Sequence, residues 1–108
     1  MKKYLLNKTF IYQRHYDVNK EKSLYQYVIE NMNKIKFDNI YYVIANKEHI
    51  YEINLIGGII IEDIESGIAV KETVEKLNKI YNVKPEDLKR DVTNFIVYLQ
   101  KIGILTYV

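Results

Sequence analysis

The stretch from Tyr51 to Gly67 constrains the fold most, because its hydrophobic period changes part-way along. Before Asn54 the residues alternate as on the two faces of a β-strand, with His49, Tyr51 and Ile53 on one face and Ile50 and Glu52 on the other. After Asn54 the apolar residues recur at the spacing of one helix face, and they are Leu55, Ile56, Ile59, Ile60 and Ile64. The sequence therefore predicts a strand joined directly to a short helix.

Both ends of this helix carry terminal signals. Asn54 stands where an N-cap belongs, because its side-chain oxygen can accept a hydrogen bond from a free backbone N–H. Ser66 and Gly67 follow the last apolar residue, and glycine is common just past a helix end. These signals predict a helix over about Leu55 to Ile64.

The residues before this helix favour strands. Ile40 to Ala45 is rich in β-formers, and a short turn separates it from His49 to Ile53, which predicts a β-hairpin. Thr9 to Val18 predicts a further strand with Phe10 and Tyr12 on one face. Because His49 to Ile53 is the last strand before the helices, we expect it to lie at the edge of the sheet.

Between these strands, Lys20 to Lys36 predicts an amphipathic helix, since its apolar residues fall on one stripe, at Leu24, Val28, Met32 and Ile35. A strand in its tyrosine-rich part, Leu24 to Ile29, is the alternative. Turn signals flank the segment at Asp17 to Lys20 and at Phe37 to Asn39.

Two further helices are predicted near the C-terminus. The first is Val70 to Tyr81, and its buried face is expected to comprise Val70, Val74, Leu77 and Tyr81, with Ile80 nearby. The second, Pro85 to Ile102, has a predicted core stripe of Leu88, Val92, Phe95, Ile96 and Leu99. Gly103 ends it, and Ile104 to Val108 predicts an added strand. The expected fold is a winged-helix-like α+β domain spanning residues 1–108, with N-terminal antiparallel strands, three short helices and an extra N-terminal amphipathic helix.

Composition excludes several classes of function. The chain has 16 Lys and Arg against 14 Asp and Glu, and a net charge of +2 does not favour a nucleic-acid or membrane-surface partner. It has no cysteine, so disulfides, thiolate metal sites and iron–sulfur clusters are ruled out. The N-terminus lacks the pattern of a signal peptide, and no apolar run is long enough to cross a membrane. A cytoplasmic location is expected.

No residue pattern indicates catalysis, a cofactor or a metal. Gly57 and Gly58 lie inside a predicted helix without phosphate-loop spacing, so close helix packing is the better interpretation. His15 and His49 lack a nearby ligand partner and are expected at the surface. The acidic residues Glu62, Asp63 and Glu65 oppose the helix dipole, and a solvated surface is the predicted reason.

The order of several short motifs resembles one family. They are Tyr51-Glu52-Ile53-Asn54, Gly57-Gly58, Glu65-Ser66-Gly67, the break Asn82 to Glu86, and the run from Asp91 through Phe95 and Leu99 to Leu105. This arrangement, over about Ile40 to Leu105, is similar to the PqqD-like family of RiPP recognition elements. The first 39 residues exceed the short lead-in typical of that family, and form an N-terminal extension to it.

The resemblance implies a non-catalytic domain without a cofactor. Such domains bind the leader segment of a ribosomally synthesised precursor peptide as an added β-strand beside the third helix. They present the peptide to a modifying enzyme such as a radical-SAM enzyme or a cyclodehydratase. The residues expected to bind the peptide are His49, Ile50, Tyr51, Glu52, Ile53, Arg90, Asp91, Asn94, Phe95, Tyr98, Lys101 and Ile102.

The residue types fit this role, but alternatives remain open. The last predicted helix keeps an apolar flank at Tyr98 and Ile102 beyond its core stripe, and Arg90 and Lys101 could steer acidic leader residues. Tyr98 is equally consistent with an ordinary surface tyrosine, and Asp91 with a local ion pair. A winged-helix DNA-binding protein shares the architecture, although its recognition helix would need more positive charge. A small interaction protein that forms a homodimer through residues 1–39 is the third alternative.

Overall fold

The computed structural model describes residues 3–14, 21–36 and 39–108. In chain order the elements are β1 (Tyr4–Leu6), β2 (Ile11–Arg14), α1 (Leu24–Glu30), a 3-10 turn (Met32–Lys34), β3 (Ile40–Ala45), β4 (Ile50–Asn54), α2 (Leu55–Glu65), α3 (Val70–Ile80), α4 (Pro85–Lys101) and β5 (Leu105–Tyr107). This order confirms the predicted α+β class. The chain divides into two compact units: Lys8–Glu62 is the sheet unit, and the residues up to Asn7 together with Asp63–Val108 form the helical unit.

The sheet unit is built on an antiparallel three-stranded sheet in the order β2-β3-β4. The predicted hairpin joins β3 to β4, and the Asn46 side-chain oxygen holds its turn by accepting from the backbone N–H groups of Glu48 and His49, at 2.9 and 2.8 Å. A bulge interrupts the β3–β4 register between Ile40 and Tyr42. The predicted edge position of β4 is confirmed for the described residues, because β4 is the last strand in the order and pairs there with β3 alone.

Helix α2 begins and ends where its terminal signals predict. The Asn54 side chain accepts a hydrogen bond from the backbone N–H of Gly57 at 2.9 Å, and Gly67 ends the helix with a φ of 77°. The close packing predicted for the glycine pair is confirmed at Gly58, where an added Cβ would lie 2.6 Å from Leu24 Cδ2 and 2.9 Å from Tyr42 Cδ2. Any larger residue at position 58 would force the buried Leu24 side chain or the Tyr42 ring to shift.

The N-terminal helix α1 is shorter than predicted. Ser23 caps it by accepting from the backbone N–H of Gln26, and the chain leaves the α-helix at Asn31. Leu24 and Val28 are fully buried, as expected, but Met32 lies in the 3-10 turn and is 43% exposed. The predicted stripe fails at Met32 because the helix has ended before it. The predicted turns at 17–20 and 37–38, and the end of the first strand beyond Arg14, lie outside the described residues.

In the helical unit, the buried faces of two helices, α3 and α4, differ from the predicted ones. In α3 the buried residues are Thr73, Leu77 and Ile80, whereas Tyr81 lies beyond the helix and is 37% exposed. In α4 the buried stripe is Leu88, Val92, Ile96 and Leu99, and Phe95 is only half-buried. Gly103 turns the chain with a φ of 83°, and the added strand β5 then pairs antiparallel with β1. Strand β1 was not predicted. The segment is short and interrupted by polar residues, so its sequence shows no strand pattern, and it becomes a strand by pairing with β5.

Candidate functional site

The edge of β4 that faces away from β3 carries backbone hydrogen-bonding groups that no other described strand pairs with. The Asn46 N–H donates to the His49 carbonyl at 3.0 Å, so these two residues are a hydrogen-bonded pair at the start of the ladder. Such pairs alternate with non-bonded pairs along an antiparallel ladder, so Tyr51 and Ile53 bond to β3. The N–H and C=O groups of Ile50 and Glu52 therefore point away from β3, toward the open edge.

The side chains of β4 divide cleanly between the two faces of the sheet. The Ile53 side chain is buried, with 5% of its surface exposed. Tyr51 is half-buried, and its ring lies near the aromatic rings of two other residues. The Tyr51 ring lies 6.5 Å from Phe10 and 5.9 Å from His49, on which it stacks at an angle of 17°. Ile50 and Glu52 are exposed on the opposite face, Ile50 at 72%. The strand thus offers an aromatic inner face and a free outer face.

His49 differs from the other predicted strand residues. It precedes β4, and the Asn46 side chain and backbone occupy its N–H and C=O groups. Its imidazole is exposed and stacks on Tyr51, as expected of a surface histidine. His49 therefore contributes a side chain, but not backbone groups, to the open edge; His15 lies outside the described residues.

The predicted residues of α4 lie along one exposed flank of that helix. Tyr98 is 45% exposed and stacks on the half-buried Phe95 with ring centres 6.4 Å apart. The remaining predicted residues on α4 are exposed or, at the helix C-cap Ile102, half-buried; they are Arg90, Asp91, Asn94, Lys101 and Ile102. Aromatic residues are enriched in protein interfaces, whose rims are polar.

Arg90 is less free to attract a ligand than the sequence indicates. Its guanidinium lies 3.4 Å from the Asp87 carboxylate and 3.9 Å from that of Asp91. These are exposed local contacts of little energetic weight, so they reduce the net positive charge of this flank without fixing the side chain. The predicted strand residues lie in the sheet unit, and the predicted helix residues lie in the helical unit.

The expectation that the acidic residues at the end of α2 are solvated is wrong for Glu62. Its carboxylate lies 2.9 Å from Arg14 Nε, accepts from the Leu24 N–H at 2.6 Å and accepts from the Tyr42 hydroxyl at 2.5 Å. Burial, followed by the adjacent Glu62 carboxylate, raises the pKa of Tyr42 well above its ordinary value. Glu62 thus joins α1, β2, β3 and α2 within the sheet unit.

The expectation is also wrong for Asp63. This residue is 4% exposed, accepts from the Thr73 hydroxyl at 2.8 Å and pairs with Lys76 Nζ at 2.7 Å. It ties the end of α2 to α3 within the helical unit. Glu65 alone of the predicted cluster is exposed. The sequence contained a sign that these acidic residues have partners, because acidic residues at a helix C-terminus are unfavourable unless a partner compensates their charge.

The described part of the chain holds no group of three histidine or acidic side chains arranged to bind a metal ion. Among the same residues, none of the helices is both long and apolar enough to cross a bilayer.

Residues 41–105, more than half of the chain, match the family described as coenzyme PQQ synthesis protein D (PqqD). The chain belongs to the PqqD family. Neither the curated proteins nor the solved structures contain a significant match. Membership in the PqqD family supports a peptide-binding role in the biosynthesis of PQQ and related ribosomal peptide products in general. The family is a non-catalytic accessory in that biosynthesis.

The residues before position 41 lie outside the PqqD match and form an N-terminal extension to it. The match begins one residue into β3, so β1, β2 and α1 precede it. Of these, β2 supplies one outer strand of the sheet, and the α1 residue Leu24 contacts Gly58 on α2. The part of the extension after Asn7 therefore belongs to the sheet unit and contributes both a strand and a helix to it, whereas β1 belongs to the helical unit.

Proposed function

We propose that this chain binds the leader segment of a ribosomally synthesised precursor peptide as an antiparallel strand added along β4. The single observation that carries the proposal is the open edge of β4 in a PqqD-family chain. The backbone groups of Ile50 and Glu52 are available for a further ladder, and main-chain hydrogen bonds of this kind supply affinity in β-strand addition.

Nothing on β4 protects this edge from pairing. The strand is five residues long, contains no proline, and has Glu52 as its one charged residue. Natural sheets commonly block open edges with lysine, proline or bulges. An unprotected edge is consistent with a strand that pairs with a peptide strand.

The exposed flank of α4 is proposed as a second contact surface for the peptide. Tyr98 is half-exposed and supported by Phe95, and a supported aromatic ring is a common anchor in protein interfaces. The remaining predicted residues on this flank are assigned to the same role. In this proposal the bound peptide is then presented to a modifying enzyme, such as a radical-SAM enzyme or a cyclodehydratase.

The test is a titration of the isotope-labelled chain with the precursor peptide encoded beside its gene, monitored by backbone amide shifts. We expect the largest changes at Ile50 to Asn54, with further changes over Asp91 to Ile102. Saturable shifts confined to Lys71 to Lys79, with both of these regions silent, would place the ligand elsewhere. Absence of saturable shifts would contradict peptide binding altogether.

A further inference from the structure

We infer that the outer face of β4 selects the leader sequence, and that it favours a basic residue followed two positions later by an aliphatic one. The inference rests on the proposed strand addition and concerns which side chains the added strand carries. The specificity-determining residues are Ile50 and Glu52, whose side chains lie on the exposed face of the sheet.

The ladder fixes which leader residues meet these two side chains. Because the backbone groups of Ile50 and Glu52 point to the open edge, an antiparallel added strand forms its hydrogen-bonded pairs at these positions. Residues directly opposite each other in a ladder project to the same face. The two leader residues opposite Ile50 and Glu52 therefore share the outer face, and the residue between them turns toward the face of Tyr51.

The first position extends an apolar row. In the observed register Ile11, Ala45 and Ile50 lie side by side across the three strands. Ile11 and Ile50 are 70% and 72% exposed, so the row reaches solvent at both ends. An aliphatic leader residue opposite Ile50 would continue the row and cover the isoleucine. Covering this isoleucine removes apolar surface from water, so an aliphatic leader residue is favoured here over a polar one.

At the second position, the leader residue lies opposite Glu52, which carries a single negative charge. The neighbouring row consists of Gln13, Val43 and Glu52, and among the described residues Glu52 has no ion-pair partner. Opposite charges stabilise a cross-strand pair, whereas like charges destabilise it. A lysine or arginine in the leader is thus favoured opposite Glu52, and an acidic residue is disfavoured there.

The strand direction sets the order of the two residues. In an antiparallel addition the leader runs from Glu52 toward Ile50, so the basic residue comes first. The expected pattern is Lys or Arg, then any residue, then Ile, Val or Leu. A parallel addition would reverse this order, which makes the order itself a measurement of strand direction.

The test is a selection of random linear peptides by display against the full chain, followed by sequencing of the enriched pool. We expect the basic residue and the aliphatic residue of the pattern each to be enriched about two- to fivefold over their frequencies in the starting library, the ratio expected of one cross-strand pair. Selection against Glu52→Lys should replace the basic residue by an acidic one. Selection against Ile50→Lys should remove the aliphatic preference and leave the basic preference opposite Glu52 unchanged.

Matched controls are available on the same sheet. Ile11→Lys makes the same change at the other end of the apolar row, on the far edge strand, and should leave the selected pattern unaltered. Glu48→Lys changes the net charge equally but lies in the β3–β4 turn, where its side chain faces no added residue. Retained basic preference in Glu52→Lys, or loss of it in Glu48→Lys, would overturn the assignment to Glu52.

The outcomes separate this inference from the proposed function. Enriched peptides that shift the amides of Ile50 to Asn54 but lack the pattern would overturn the inference and leave strand addition intact. The reversed order would also overturn it, by showing parallel addition. A pool without enriched binders, or binders that leave β4 unperturbed, would contradict both.

Discussion

The guanidinium of Arg14 lies 2.9 Å from the carboxylate of Glu62, and these two residues stand on opposite sides of the boundary of the PqqD match. Arg14 belongs to β2 in the N-terminal extension, and Glu62 belongs to α2 inside the matched range. The Arg14 guanidinium also donates to the carbonyl of Lys22, just before α1, at 2.5 Å. One largely buried carboxylate thus connects the extension to the rest of the sheet unit.

Replacing Glu62 with alanine should destabilise the fold by about 2–4 kcal/mol, because it leaves Arg14, the Leu24 N–H and the Tyr42 hydroxyl without their shared acceptor. The measurement is denaturant unfolding monitored by circular dichroism. Glu65→Ala is the matched control on the same helix, where the side chain is exposed and the change should be close to neutral. Equal losses in the two variants would show that the Glu62 network does not stabilise the fold.

Gly58→Ala should also destabilise the chain, despite the higher helix propensity of alanine. The added methyl would press on the buried Leu24 side chain and on the Tyr42 ring, which its hydrogen bond to Glu62 holds in place. Overpacking of this kind costs about 1–3 kcal/mol, whereas the propensity gain is at most about 1 kcal/mol. Thermal unfolding measures the balance. In a Leu24→Ala background the penalty should shrink, and an unchanged penalty would argue against this contact.

Stability should fall as the solution becomes strongly alkaline, in part because of Tyr42. Its pKa is raised in the folded state by burial and by Glu62, so above about pH 10 the unfolded chain loses this proton first. The stabilisation from the neutral phenol is complete below that pH and declines above it. Tyr42→Phe should unfold more easily at neutral pH but lose less additional stability between about pH 10 and 11.5. Tyr98→Phe, at an exposed position, is the control, and identical slopes for Tyr42→Phe and wild type would contradict the assignment.

Tyr98→Ala should weaken binding of the precursor peptide by about 1–2 kcal/mol, the cost of removing an aromatic anchor from an interface. The unfolding midpoint should barely change, because the Tyr98 side chain lies outside the buried stripe of α4. Isothermal titration calorimetry measures the affinity. Val97→Ala, at a neighbouring position that is 41% exposed, serves as the control. Equal effects of the two substitutions would remove Tyr98 from the binding surface.

Glu52→Pro should abolish strand addition while preserving the sheet. Proline removes the N–H that points to the open edge, and edge strands tolerate proline where that group is not bonded internally. Glu52→Ala is the matched control, since it removes the same carboxylate and keeps the N–H. We expect peptide binding to be lost in the proline variant and only weakened in the alanine variant, with similar circular dichroism spectra. Full binding by a folded proline variant would contradict strand addition along β4.

Local patterns in the sequence determined most elements and their ends. The change of period at Asn54 predicted both β4 and α2, and the cap at Asn54 and the stop at Gly67 fixed the helix because both act within a few residues. The hairpin was predicted for the same reason, and so was the stripe of α4 apart from Phe95, which is only half-buried. Tyr98 was correctly placed outside that stripe, since helical spacing alone decides which positions it includes.

Tertiary structure alone decided which polar groups are buried and which short segments become strands. Glu62, Asp63 and Glu65 were predicted to be solvated, but Glu62 binds Arg14 and Asp63 binds Lys76, partners that are distant in sequence. The segment Tyr4–Leu6 becomes a strand because it pairs with β5, at the other end of the chain. The backbone phase of β4, which turns the N–H of Glu52 outward, follows from its pairing with β3. Each of these features depends on contacts between residues far apart in sequence, and hydrophobic periodicity carries no record of such contacts.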